Sequence, residues 1–161
     1  MALIDFSDAQ AVKPAPDIST MFMAGVVGTG LWEVWSRQVA HIAFAQDLSF
    51  GEALQFALHI EQRIFAELLF IGLAIAILPI AYLFIWQPLM RLFTLTARQN
   101  WFVDGLSYGV ILSAPLAYFG LEPITAEAAA TPIWAWVAGV SMATLGVAGI
   151  IRLMELGRKV I

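Results

Sequence analysis

From Ile133 to Ile151 the chain runs without a charged residue, long enough for a helix that crosses a hydrocarbon core about 30 Å thick. Three further segments approach the same character, at about 21–45, 63–86 and 102–119. Of the 161 residues, 61% are hydrophobic and 12% charged. A soluble domain is about 45–50% apolar and about 25% charged, so a core of this size cannot take the excess. Lipid is the expected solvent for the remainder. The expected fold is therefore all-α: an integral membrane bundle of four transmembrane helices. Residues 1–18 form a polar tail and 19–161 one transmembrane domain.

The tail carries Asp5, Asp8 and Asp17 against Lys13, unlike the basic start of a secretory signal. Ser19 and Thr20 offer caps for the first helix. If four spans alternate, Lys13, Arg91, Arg98, Arg152, Arg158 and Lys159 share one side. The other holds Asp47, Glu52, Glu122 and Glu127, with Arg63 at a helix end. Excess Lys and Arg mark the cytoplasmic face, so both termini are expected inside. Between the first two spans, Ser49-Phe50-Gly51-Glu52 has the form of a capping box. Phe50, Leu54, Ala57 and Leu58 then lie opposite Glu52, Gln55, His59 and Gln62. That pattern predicts an amphipathic helix over about 50–62 lying in the outer interface.

The first span is the unusual one. Glu33, Arg37 and His41 stand four apart and project from one helical face. Glu33 falls just beyond mid-membrane, Arg37 in the outer half and His41 near the outer interface. Charge at such depth costs about 2.5–3.5 kcal/mol per residue and faces a bundle interior or a watery cavity. Arg63 and Glu67, also four apart, enter from the same side on the second span. An antiparallel hairpin predicts that Glu33, Arg37, Arg63 and Glu67 form one polar cluster. With charges balanced two and two, mutual pairing that fixes helix register is one reading. A proton or solute site is the other.

The small residues read as packing surfaces. Ala24 and Gly28, then Gly105, Gly109 and Ser113, then Gly139 and Ala143 form stripes that let membrane helices approach closely. Gly25 to Gly30 imitates a nucleotide loop but lies inside a span, where packing explains it. Pro79 and Pro115 are expected kinks. His41 and His59 invite a haem or chlorophyll reading, yet no further histidine supports it. No metal-ligand spacing, catalytic triad or phosphate cradle can be named, so neither a cofactor nor enzymatic activity is expected. The absence of cysteine excludes disulfides, and a net charge of −4 speaks against nucleic acid as a partner.

Ala24-Gly25-Val26-Val27 followed by Trp32-Glu33-Val34 resembles the YagU family of small bacterial inner-membrane proteins. Ser113-Ala114-Pro115-Leu116 leading into Gly120-Leu121-Glu122-Pro123, and a last span ending Ile150-Ile151-Arg152, are similar in character. The chain lacks the proline-rich stretch that the family would carry after Glu33. The resemblance implies a multi-pass protein of the bacterial inner membrane and marks Glu33 as a position of interest. Two function classes follow. One is an accessory or structural subunit that packs against lipid and other membrane subunits or itself. The other is a small oligomeric transporter or channel component with the Glu/Arg cluster along its path. A haem- or pigment-binding subunit is a third.

Overall fold

Asp17, rather than Ser19 or Thr20, caps the first helix. Its carboxylate accepts from the Thr20 backbone N–H at 2.8 Å and the Ser19 hydroxyl at 3.0 Å, in the geometry of an N-cap. Hydrogen bonds from Thr20 and Ser19, with Arg158 beside them, hold the Asp17 carboxyl well below the usual carboxylate range. Ser19 and Thr20 instead lie in the first turn of the helix, after Ile18.

The computed structural model describes residues 16–44, 48–93, 100–121 and 133–158, and among them there is helix but no strand. Helix α1 spans Ile18–Val34 and passes through a π-helical turn, Trp35–Val39, into α2, Ala40–Phe44. Helix α3 is Phe50–Leu58. Helix α4, Arg63–Ala81, continues through a second π turn, Tyr82–Trp86, into α5, Gln87–Phe93. Helices α6 and α7 are Trp101–Leu121 and Ile133–Gly157. The tail to Ala15 and the connections carrying Asp47, Arg98, Glu122 and Glu127 lie outside the described residues, as does Lys159. Two stretches, Arg63–Met90 and Ile133–Gly157, are long and apolar enough to cross a membrane.

The long helices alternate in direction. At one end of the bundle, Arg158 of α7 pairs with Asp17 at 2.7 Å, so the start of α1 meets the end of α7. There too the Trp86 indole donates to the Asp104 carbonyl at 3.0 Å, joining the end of the α4 run to the start of α6. At the opposite end Trp35 donates to the Ala135 carbonyl at 2.9 Å. Arg37 and Glu67 meet there as well, at 2.9 Å.

Helix α7 is the spine, with α1 and α6 packed on it and α4 outside, against α1 and α3. Within the most apolar stretch of each, 44% of α7 is buried but only 11% of α4. The small residues make this approach possible. A methyl group at Gly28 would strike Val147 and the Ala143 carbonyl, and one at Gly105 would strike Ala148 and Leu145. One at Gly109 would land on Ser141 and Thr144, and one at Gly139 on Trp35 and Trp32. Ala24, Ser113 and Ala143 are buried, and the Ser113 hydroxyl bonds its own helix at Val110, 2.7 Å away. Thr144 adds a polar tie, donating to the Gly105 carbonyl at 2.8 Å. All seven positions expected at helix contacts are therefore at contacts or buried.

Pro79 lies inside α4 and cannot donate to the Ile75 carbonyl one turn back. Gly25 of α1 sits directly against that carbonyl, where any Cβ would overlap it. The close approach gives the carbonyl a Cα–H neighbour in place of the missing N–H. The helix runs on past the proline into the Tyr82–Trp86 π turn. Helix α6 likewise continues through Pro115.

Helix α3 is shorter than the 50–62 expected and is docked by its first turn. Phe50 is 7% exposed and stacks on Trp32, with ring centroids 4.7 Å apart. Trp136 and Phe70 flank it at 4.8 and 5.4 Å. Leu58, by contrast, is 54% exposed. The helix ends because His59 takes a left-handed backbone, φ 52°, and the Ile60 N–H closes on the Gln55 carbonyl at 3.0 Å. A side chain there costs about 1–2 kcal/mol relative to glycine. Replacing His59 by glycine is expected to raise the unfolding free energy by about 1 kcal/mol in detergent. An unchanged or lower denaturant midpoint would show that the turn is not strained.

Candidate functional site

At the end of the bundle where Arg37 of the α1 run meets Glu67 of α4, five charged side chains gather. Residues 35–39 of the α1 run wind as a π turn, and this frees the Ser36 carbonyl to accept the Leu48 N–H at 3.2 Å. The returning chain is thereby pinned to the helix beside Arg37, and α3 is delivered over α4. Gly51 permits the contact, since a Cβ there would meet the Glu67 side chain and backbone.

Four ion pairs then link five side chains in a row. Arg37 Nε donates to Glu33 Oε2 at 2.6 Å, and Arg37 Nη2 to Glu67 Oε2 at 2.9 Å. Arg63 Nε reaches Glu67 Oε1 at 2.8 Å, and Arg63 Nη1 reaches Glu52 Oε1 at 2.8 Å. Glu67 is the hub, with one oxygen on each guanidinium, and at 19% its side chain is the least exposed of the five. Arg37 and Arg63 are half-exposed, at 51% and 54%. Such charge-assisted bonds are the strong class, though exposure discounts the outer ones.

Of the five residues expected on this polar face, Glu33, Arg37, Arg63 and Glu67 are brought together. His41 is exposed on α2, and none of these pairs includes it. The balance of two and two is corrected: Glu52 joins the row and leaves three carboxylates against two guanidiniums. Glu52 was expected to reach back to its own helix start. Its N–H does bond the Ser49 hydroxyl at 3.3 Å, but its carboxylate serves Arg63. The sequence cue for this contact was Gly51, a glycine in the first turn of a helix.

Beneath the charges lies the aromatic floor of Trp32, Phe50 and Phe70. The space between floor and network is a cavity of about 20 Å³, bordered also by Ser36, Leu48 and Ser49. That is room for about one water. His59 is placed in the α3–α4 turn and exposed. Among the described residues no three His, Cys, Asp or Glu side chains converge as a metal would require. Glu67 has both oxygens engaged, and Glu33 is committed to Arg37. The arrangement can fix helix register, and it presents alternating charge at the bundle end. Comparison with protein-family models, curated proteins and solved structures finds no match for this chain.

Proposed function

We propose that the chain is a non-catalytic multi-pass protein of the bacterial inner membrane, an accessory subunit of a larger membrane complex. In this reading the helical runs 18–44, 63–93, 101–121 and 133–157 are four spans with both termini cytoplasmic. Helix α3 then lies at the outer interface and caps the charge row. The same-end placement of Asp17 and Arg158 supports an even number of crossings. The likeness to YagU proteins, carried by the residues around Gly25 and Glu33, supports the location.

One observation carries the accessory role: the charge row closes on itself around Glu67 and leaves space for about one water. Charges arranged this way position helices; they do not line a route for solute. The outer face of α4, with Phe65, Leu69, Leu73 and Ile80 exposed, is then free for lipid or a neighbouring subunit. Extraction in mild detergent is expected to yield this chain in fixed stoichiometry with larger membrane proteins. A monodisperse assembly of this chain alone would overturn the reading.

The surplus carboxylate favours a second reading, a proton conduit. It requires that Glu33→Gln change proton flux in liposomes without unfolding the protein. Equal flux in the variant and wild type removes it. A visible absorption band in the purified material would instead support the tetrapyrrole reading.

A further inference from the structure

A second opening in the bundle has no part in the charge row. It is a cavity of about 260 Å³ whose walls are almost wholly carbon. Phe70, Ala74, Ile77 and Leu78 of α4 form one side, and Tyr108 and Leu112 of α6 face them. Thr29 borders it, but the Thr29 hydroxyl is closed off from solvent. The cavity exists because α6 packs on α7 while α4 packs on α1 and α3, which leaves the α4–α6 side unfilled. Its inner end is shut by Tyr108, whose ring lies 5.6 Å from both Tyr82 and Trp86. Its outer end is roofed by Trp32, Phe50 and Phe70, the same residues that floor the charge row.

Dimensions and charge identify an occupant. From Phe70 to Ala81 the cavity follows α4 for about 16 Å at 1.5 Å per residue. Half of a hydrocarbon core of about 30 Å is the depth of one leaflet. An apolar cavity of this size does not hold water stably. Directly above it, carboxylates and guanidiniums alternate, with both guanidiniums half-exposed. A phosphate pairs with guanidinium, and an ammonium with carboxylate. We propose that the α4–α6 cleft holds one acyl chain of an outer-leaflet lipid whose zwitterionic phosphate–ammonium headgroup rests on the Glu33–Arg37–Glu67–Arg63–Glu52 row. The inference rests on the four-span reading and is independent of the accessory role. It sets the charge row at the level of the outer headgroups, and so shallower than the depth expected for Glu33 from the sequence.

The test uses the whole chain reconstituted into vesicles of equal parts phosphatidylethanolamine and phosphatidylglycerol, re-extracted in mild detergent and weighed by native mass spectrometry. One phosphatidylethanolamine per chain is expected to stay bound. Ala74→Phe fills the cavity from α4 and Leu112→Trp from α6, and each is expected to reduce retained lipid at least ten-fold. Gly72→Phe adds the same bulk where nothing stands within 4 Å, and it is expected to retain lipid as wild type does. Wild type that carries no lipid, or only detergent, overturns the site. Equal retention in the filled variants also overturns it. Equal retention of the two lipids, or preference for phosphatidylglycerol, overturns the headgroup assignment. Release of the protein by alkaline carbonate would instead defeat the four-span reading, whereas a carbonate-resistant protein without lipid defeats this inference alone.

Discussion

Gly109→Ala is expected to push α6 off α7 and lower the unfolding free energy by about 3 kcal/mol, the upper part of the overpacking range. The added methyl would fall on the Ser141 backbone and the Thr144 side chain. Backbone cannot rotate aside as a flexible side chain can, so the helices must separate. Separation then strains the Thr144 bond to the Gly105 carbonyl, which is 2.8 Å long and spans the same two helices. On the four-span reading, packing and close-range polar contacts hold the helices together where the hydrophobic effect is absent, so both losses fall on the main source of cohesion. Gly30→Ala is the matched control, because no atom stands within 4 Å of its Cβ position. There the better helix propensity of alanine is expected to leave stability unchanged or raise it by up to about 1 kcal/mol. Denaturant titration in detergent measures both. Similar losses at the two sites would mean that Gly109 is not a packing contact.

Removal of Glu67 is the second large effect. Glu67→Ala takes away the acceptor shared by Arg37 and Arg63 and leaves two guanidiniums near one another. Breaking a buried pair costs about 3–5 kcal/mol. Both arginines here are half-exposed, so about 2 kcal/mol is the expected loss after solvent screening. Glu33→Ala removes a single pair and is expected to cost about 1 kcal/mol, and Glu52→Ala, with the most exposed carboxylate, about 0.5 kcal/mol or less. A double-mutant cycle between Arg37 and Glu67 isolates their coupling, expected near 1 kcal/mol. If the three carboxylates cost equal amounts, Glu67 is not the hub of the row.

Much of this was legible because packed helices write their contacts in simple spacings. Four-residue intervals placed Glu33 with Arg37 and Arg63 with Glu67, and the reversal between consecutive helices brought the two pairs together. Four-residue intervals of small side chains marked Gly28, Gly105, Gly109 and Gly139 as helix contacts, without naming the helix each would meet. Features that depend on competition between equally plausible partners were not legible. Asp17, Ser19 and Thr20 can each cap a helix, and the Arg158 partner across the bundle adds to the case for Asp17. Glu52 can close a capping box or pair across a turn, and the charge on Arg63 decides. The π turn at Trp35–Val39 has no marker in hydrophobic period, yet within it the Ser36 carbonyl pins the returning chain at Leu48. The α4–α6 cleft is set by which neighbour each helix prefers, a property of packed surfaces and not of either segment alone.

The Ile75 carbonyl ties two distant positions into one heritable unit. Pro79 withholds its donor, and Gly25 stands where the substitute contact is made. A lineage that exchanges Pro79 for alanine restores the internal bond and removes one reason for glycine at 25. A lineage that first adds a side chain at 25 meets the exposed carbonyl and the α4 backbone at once. Because the overlap at 25 is with the Ile75 backbone itself, exchange of Pro79 alone does not open position 25 to a side chain, and glycine is held there until α1 and α4 move apart.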